Sequence, residues 1–285
     1  YMTMNEALFA RIKVLYDDKA NLGLTREQEM VLDKYYRMFV KGGALLDAEK
    51  KAQLMEIEKQ LSLASIEFGE NGLAETNAFE LVITDEKDLA GLPQSSINAA
   101  REAAQAAGKE GYLFTLDKPS MLPFLTYSKN RDLRRQLYDG YLMRCNNDNE
   151  YDNKQLAEDM ARLRVEKAHL LGFKSYSHYV TADQMAGNPE AVYGLLEEIF
   201  EPAVESAKRE LEDMKEIFEK DHPGETFEKS DWWYYAEKVR KQKYSLNEEM
   251  ISPYFSLDNV RQGVFNLANR LYGLTFRPVV VPQYH

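Results

Sequence analysis

Asp47 to Gly69 reads DAEKKAQLMEIEKQLSLASIEFG, and its apolar residues Leu54, Ile57, Leu61, Ala64 and Phe68 recur at alternating steps of three and four. That spacing draws one stripe along an α-helix, whereas a half-buried strand would need alternation at every second residue. The stripe is a packing face, and it predicts a helix that opens near Asp47 and closes near Gly69.

The same period extends in both directions. Leu133, Leu137 and Tyr141 follow Ser128, read as an N-cap, and Leu156, Met160, Leu163 and Leu170 precede Gly172, read as a helix end. Asn188-Pro189 suits an N-cap followed by the first helical position. Val192, Leu196, Ile199, Ala203, Leu211, Met214 and Phe218 then line one face as far as Lys220, with Pro202 removing a ladder hydrogen bond and kinking the helix. Asp258 opens a further helix that carries Val260, Val264, Leu267 and Leu271 and closes at Gly273.

Two short runs, Phe79–Ile83 and Gly111–Leu116, are rich in β-branched and aromatic residues and predict a small antiparallel ribbon around the Ala-rich helix at Ser96–Ala107. The run Pro278-Val279-Val280-Val281-Pro282 reads as the beginning of a strand. The expected fold class is therefore all-α: a large multi-helix domain with a small β-ribbon. No tandem repeat or low-complexity stretch interrupts it, so a helical solenoid is disfavoured.

Composition narrows the partners. Thirty-six basic residues against forty-seven acidic ones give a net charge of −11, which opposes binding to phosphate backbones and anionic membranes and keeps the surface solvated. No apolar run approaches the length of a membrane span. The single cysteine, Cys145, has no second thiol to pair with and is read as an unreactive helix residue. The expected location is the cytoplasm, with the periplasm left open because Tyr1 is not an initiator Met.

A resemblance adds what periodicity cannot supply. It is carried by LASIEFGENGLAETNAFEL (Leu63–Leu81), DLAGLP (Asp88–Pro93), YSKNRDLRRQLYDGY (Tyr127–Tyr141), LGFKSYSHYV (Leu171–Val180), MAGNPEAVYGLLEE (Met185–Glu198) and the Ser252–Phe276 block. In that order and spacing the chain resembles M3-family zinc metallopeptidases, the thimet oligopeptidase group, and looks closest to the bacterial peptidyl-dipeptidase branch. The resemblance implies a mostly helical, channel-containing fold that hydrolyses short peptides with zinc held by the two His of an H-E-x-x-H helix and a downstream Glu. It also implies that 1–285 is the helical N-terminal and middle portion of such an enzyme, truncated at both ends, with the zinc-binding catalytic region absent.

The histidines agree with that expectation. His169, His178, His222 and His285 lie 9, 44 and 63 residues apart, and none begins an H-E-x-x-H motif, whose i, i+4 spacing puts two ligands on one helical face. His285 sits in a V-P-x-x-H context and is read as structural or exposed. No catalytic or metal-ligating residue is expected within 1–285, no zinc is expected on this fragment, and the fragment alone is expected to be inactive. No substrate-binding residue is fixed by spacing. Trp232, Trp233, Tyr234 and Tyr235 are the remaining candidates, with Tyr254 and Phe255: four successive aromatics on a helix point in several directions, so at least two belong to a core and the others could line a peptide channel. The expected partners are short peptides, with neither nucleic acid nor membrane, and the expected state is a monomer. The rival reading is a non-catalytic helical peptide-binding or scaffold protein.

Overall fold

The computed structural model describes residues 2–245 and 251–282. They divide into two compact units, 1–210 and 211–285. Helices dominate, and the one sheet among the described residues has two strands, so the chain is all-α with a small β-ribbon.

The first unit begins with α1 (Glu6–Asp17) and α2 (Arg26–Lys41). Asn5 caps α1, and Thr25 with Gln28 forms a reciprocal capping box on α2. Rings bind the pair together: Phe9 stacks on Phe39 at 5.9 Å, and Tyr16 on Tyr36 at 3.6 Å. The decisive stripe becomes α3 (Ala48–Ala78), with Asp47 accepting from the Lys50 N–H as its N-cap. The helix does not close at Gly69 but runs on to Ala78. A mid-helix glycine costs only about 1 kcal/mol, and packing against α7 (Lys154–Leu170) and the side chains beyond Gly69 carry the helix past it. Of the stripe, Leu54 and Ala64 are buried, Ile57 and Leu61 half-buried and Phe68 exposed.

The ribbon pairs β1 (Leu81–Ile83) with β2 (Tyr112–Phe114) in antiparallel register, Leu81 opposite Phe114 and Ile83 opposite Tyr112. It flanks α4 (Gln94–Ala106), close to the predicted segment. Gly111 leads into β2 at φ +93°, where any Cβ would strike the Ile83 carbonyl, so only glycine serves. Leu81, Ile83, Phe114, Ala100, Phe124 and Leu137 share one core, which joins the ribbon to α5 (Lys118–Tyr127) and α6 (Arg131–Leu142).

Several local expectations are corrected. Ser128 is not the N-cap of α6. It closes α5, its N–H reaching the Phe124 carbonyl at 3.0 Å, while its own carbonyl accepts from the buried Arg134 at 2.8 Å. Asn130 is the cap, accepting from the Leu133 N–H at 3.1 Å and donating to Asp88 at 2.8 Å. Cys145 lies beyond the end of α6 with φ +59°, not within a helix. The short α8 (Tyr176–Thr181) follows α7.

The helix α9 (Pro189–Asp221) starts as read, with Asn188 accepting from the Ala191 N–H at 2.8 Å and Pro202 inside it. Its predicted face is covered only in part: Met214 and Phe218 are buried, whereas Leu196 and Ile199 are exposed. In the second unit Met214 and Phe218 pack with Tyr235 of α10 (Trp232–Tyr244). α11 (Leu257–Tyr272) starts one residue before Asp258, capped by Ser256, and ends at Gly273 in the left-handed conformation. Val279, Val280 and Val281 form no strand and are exposed. A strand needs a ladder partner, and β1 and β2 are paired only with each other.

Candidate functional site

The described histidines are held by local structure. His178 on α8 places Nδ1 2.8 Å from Ser175 Oγ, the oxygen that also caps the helix, and Nε2 3.5 Å from Glu190. His222 lies against the ring of Phe218 at 5.2 Å, with Nδ1 3.4 Å from Glu225. His169 lies in the last turn of α7, its carbonyl accepting from the Gly172 N–H at 3.0 Å. His285 lies outside the described residues. Among the described residues no three His, Cys, Asp or Glu side chains gather to hold a metal ion.

Cys145 is set up as a structural group. Its N–H donates to Glu75, and burial followed by the neighbouring Glu75 carboxylate pushes its thiol up from the ordinary value, the reverse of what a thiolate nucleophile needs.

The aromatic run separates by face, as helical geometry requires. Tyr235 is fully buried between Phe218 and Phe227, with its hydroxyl 3.1 Å from Asp221; Tyr234 is half-buried; Trp232 and Trp233 keep over a third of their surface. Lys238 sits over Tyr234 at 4.7 Å and Tyr235 at 5.2 Å. Tyr254 and Phe255 are exposed. In α10, then, Tyr235 is core and the two indoles are the members able to meet a ligand.

Three hollows in the first unit were not read from the sequence. One, about 460 Å³, is an apolar groove between α1 and α2 lined by Leu15, Val31 and Tyr35 among others. A second, about 430 Å³, borders Glu75, Phe79 and Tyr151. The third, about 660 Å³, sets Lys34, Arg37 and Lys41 of α2 against Tyr179 and Asp183. The three-and-four spacing of Lys34, Arg37 and Lys41 is visible in sequence, but a spacing cannot show that Tyr179 and Asp183 face it.

Residues 124–285, more than half of the chain, match the family described as peptidase family M3. The chain belongs to that family. It is 34% identical over 279 residues to oligopeptidase A of Salmonella typhimurium, covering 96% of this chain and 41% of that protein. It is 32% identical over 285 residues to dipeptidyl carboxypeptidase of Escherichia coli, covering 99% and 42%. With saccharolysin of Saccharomyces cerevisiae the identity is 25% over 278 residues, covering 94% and 38%. The chain spans about two fifths of the length of the curated relatives it matches.

The M3 match begins within α5 and takes in α6 to α11, while the relatives align with almost the whole chain, α1 and α2 included. The M3 resemblance implies zinc. The side chains described here do not fit it: His178 and His222 face carboxylates as local pairs, and no third donor joins either.

Proposed function

We propose that this chain is the helical N-terminal and middle portion of a zinc-dependent M3 oligopeptidase of the peptidyl-dipeptidase kind, which releases dipeptides from the C-termini of short peptides in the cytoplasm. The observation that carries the peptidase reading is the M3 match over 124–285. Alignment with two bacterial dipeptidyl carboxypeptidases over 99% of the chain, at 32% and 33% identity, supports the dipeptide-release reading, while relatives named oligopeptidase A align at 33% to 36% identity over 87% to 96% of the chain. In this reading 1–285 contributes architecture and binding wall, with Trp232 and Trp233 as the exposed aromatics, and acts as a monomer. It is inactive alone, because it contains no H-E-x-x-H sequence and a catalytic zinc takes three protein ligands.

The test compares the 285-residue chain with the product of the full coding sequence on an N-blocked tetrapeptide, with and without added zinc, products being identified by mass spectrometry. Dipeptide release by the longer product and none by the chain is expected. Zinc-dependent hydrolysis by the chain alone would sink the inactivity reading. Cleavage by the longer product without dipeptide release would remove the peptidyl-dipeptidase assignment, and no cleavage at all would remove the enzyme.

A further inference from the structure

The hollow of about 660 Å³ on α2 has an unbalanced charge. Lys34, Arg37 and Lys41 follow one helical face over about 10 Å. The two carboxylates that border the hollow are already engaged: Glu58 holds Lys167 at 2.6 Å, and Asp183 holds Lys41. Lys41 and Lys167 also lie 4.8 and 4.9 Å from the centre of the Tyr179 ring, so Tyr179 fixes both ammonium groups in place. Lys41 holds the Asp183 carboxyl below its ordinary value, and Arg37 adds to the same field.

That leaves two cations. Lys34 makes no hydrogen bond or ion pair among the described residues. Arg37 uses only Nε, 3.2 Å from the Asp33 carbonyl, and Asp33 itself is occupied by Lys19 at 2.8 and 2.9 Å. The two terminal nitrogens of the Arg37 guanidinium therefore remain open as a fork, with a point charge one turn away. A chain of net charge −11 thus carries a concave cationic site on its acidic background.

We propose that this hollow binds a small, multiply charged oxyanion of the pyrophosphate class, with Arg37 taking one oxyanion group on its fork and Lys34 the other. A planar guanidinium matches two oxygens of one phosphoryl group, and an ammonium supplies a second contact without directional demand. Lys34 and Arg37 are about 4.5 Å apart along the helix axis, a span that two linked phosphoryl groups bridge. An acidic peptide in extended form turns successive carboxylates to opposite sides, so the two it brings to one face stand about 6.7 Å apart, wider than that step. The size is that of a small-molecule site. The proposal is independent of peptide hydrolysis.

Calorimetric titration of the 285-residue chain with sodium pyrophosphate in metal-free buffer of low ionic strength tests it, with inorganic phosphate and an Asp-Asp-Asp peptide as comparison ligands. Expected are saturable binding that weakens with salt, a loss of about fivefold in affinity for each of Lys34→Ala and Arg37→Ala, and a gain in Asp183→Asn, which frees Lys41. The gain is a change that a merely structural role of the pocket would not produce. No saturable binding at millimolar pyrophosphate would overturn the proposal, as would unchanged affinity in Arg37→Ala, weaker binding in Asp183→Asn, or tighter binding of the acidic peptide than of pyrophosphate.

Discussion

Glu75 is the place where one substitution should report on both stability and chemistry. It is almost fully buried near the C-terminal end of α3, and its carboxylate accepts from Asn147 at 2.8 Å, from Asn149 at 2.7 Å and from the Cys145 N–H. These bonds hold the turn after α6, in which Cys145 and Asp148 both have positive φ, +59° and +53°. Hydrogen bonds to a charged group contribute about 1.5–3 kcal/mol each, and three on one carboxylate are not additive. Glu75→Gln keeps an acceptor but turns an amide N–H toward a donor, so a loss of about 2 kcal/mol in urea unfolding is expected. Burial alone would raise the Glu75 pKa; Asn147, the Cys145 N–H and Asn149 together bring it below the ordinary value. The sign follows from linkage: a group depressed in the folded state stabilises fully above its unfolded pKa, about 4.3, and that stability is lost as pH falls through the lower folded value. The gap between wild type and Glu75→Gln should therefore be flat from about pH 6 upward and narrow below about pH 4. Removing the charge should also lower the Cys145 pKa, since after burial Glu75 is what raises it, and speed alkylation of the thiol at pH 8. Unchanged urea midpoint together with unchanged alkylation rate would refute the reasoning.

The other predictions rest on equally local facts. Gly140→Ala should lower the thermal midpoint, because its Cβ would overlap the Phe79 ring and overpacking costs about 1–3 kcal/mol, against a helix gain of about 1 kcal/mol. Gly194→Ala, in α9 with open space around it, should instead be neutral or stabilising by up to about 1 kcal/mol; scanning calorimetry on both variants checks the pair. Ser256→Ala removes the acceptor 3.4 Å from the Asn259 N–H and should cost α11 about 1 kcal/mol, read as faster amide exchange across 257–272; unchanged exchange there would show that the cap contributes nothing. A chain ending at Gly273 should be more monomeric by light scattering than the 285-residue chain, since Phe276 and Val279–Val281 are exposed and apolar surface recruits other chains; equal monomer fractions would overturn that.

How much of this could be read in advance depends on the range of the interactions. The two β-rich segments and the starts of α3 and α9 follow from residues within a few positions, and so were legible: Asp47 accepts from the Lys50 N–H, and Asn188 does the same for Ala191. The Ser128 assignment failed because two capping side chains, Ser128 and Asn130, lie two residues apart, and the carbonyl contact with Arg134 that settles their roles requires the folded turn. Cys145 left the helix for a reason 70 residues away, the carboxylate of Glu75. The α2 hollow is of the same kind: one wall has a visible period, and the rest comes from Glu58 of α3, Tyr179 of α8 and Asp183 beyond it.

The exposed faces of α9 and α11 show what periodicity does and does not encode. A three-and-four repeat states which side of a helix is apolar: Val260, Val264, Leu267 and Leu271 share one side of α11, yet all four are exposed. It does not state what covers that side. None of the sixteen residues of α11 is buried, and an isolated helix of that length is marginal in water even with good propensity. What stabilises α11 within the described residues is local: Ser256 at one end, Gly273 at φ +68° at the other, the Asp258–Arg261 pair at 2.7 Å, and Phe265 stacked on Phe276 at 4.2 Å. Caps and i, i+3 pairs contribute tenths to about one kcal/mol each, whereas burying a Val or Leu side chain contributes about 1.5–3. The larger share of the stabilisation encoded in the α11 sequence is thus unrealised within these residues, while in α6, where Leu137 is fully buried, it is realised.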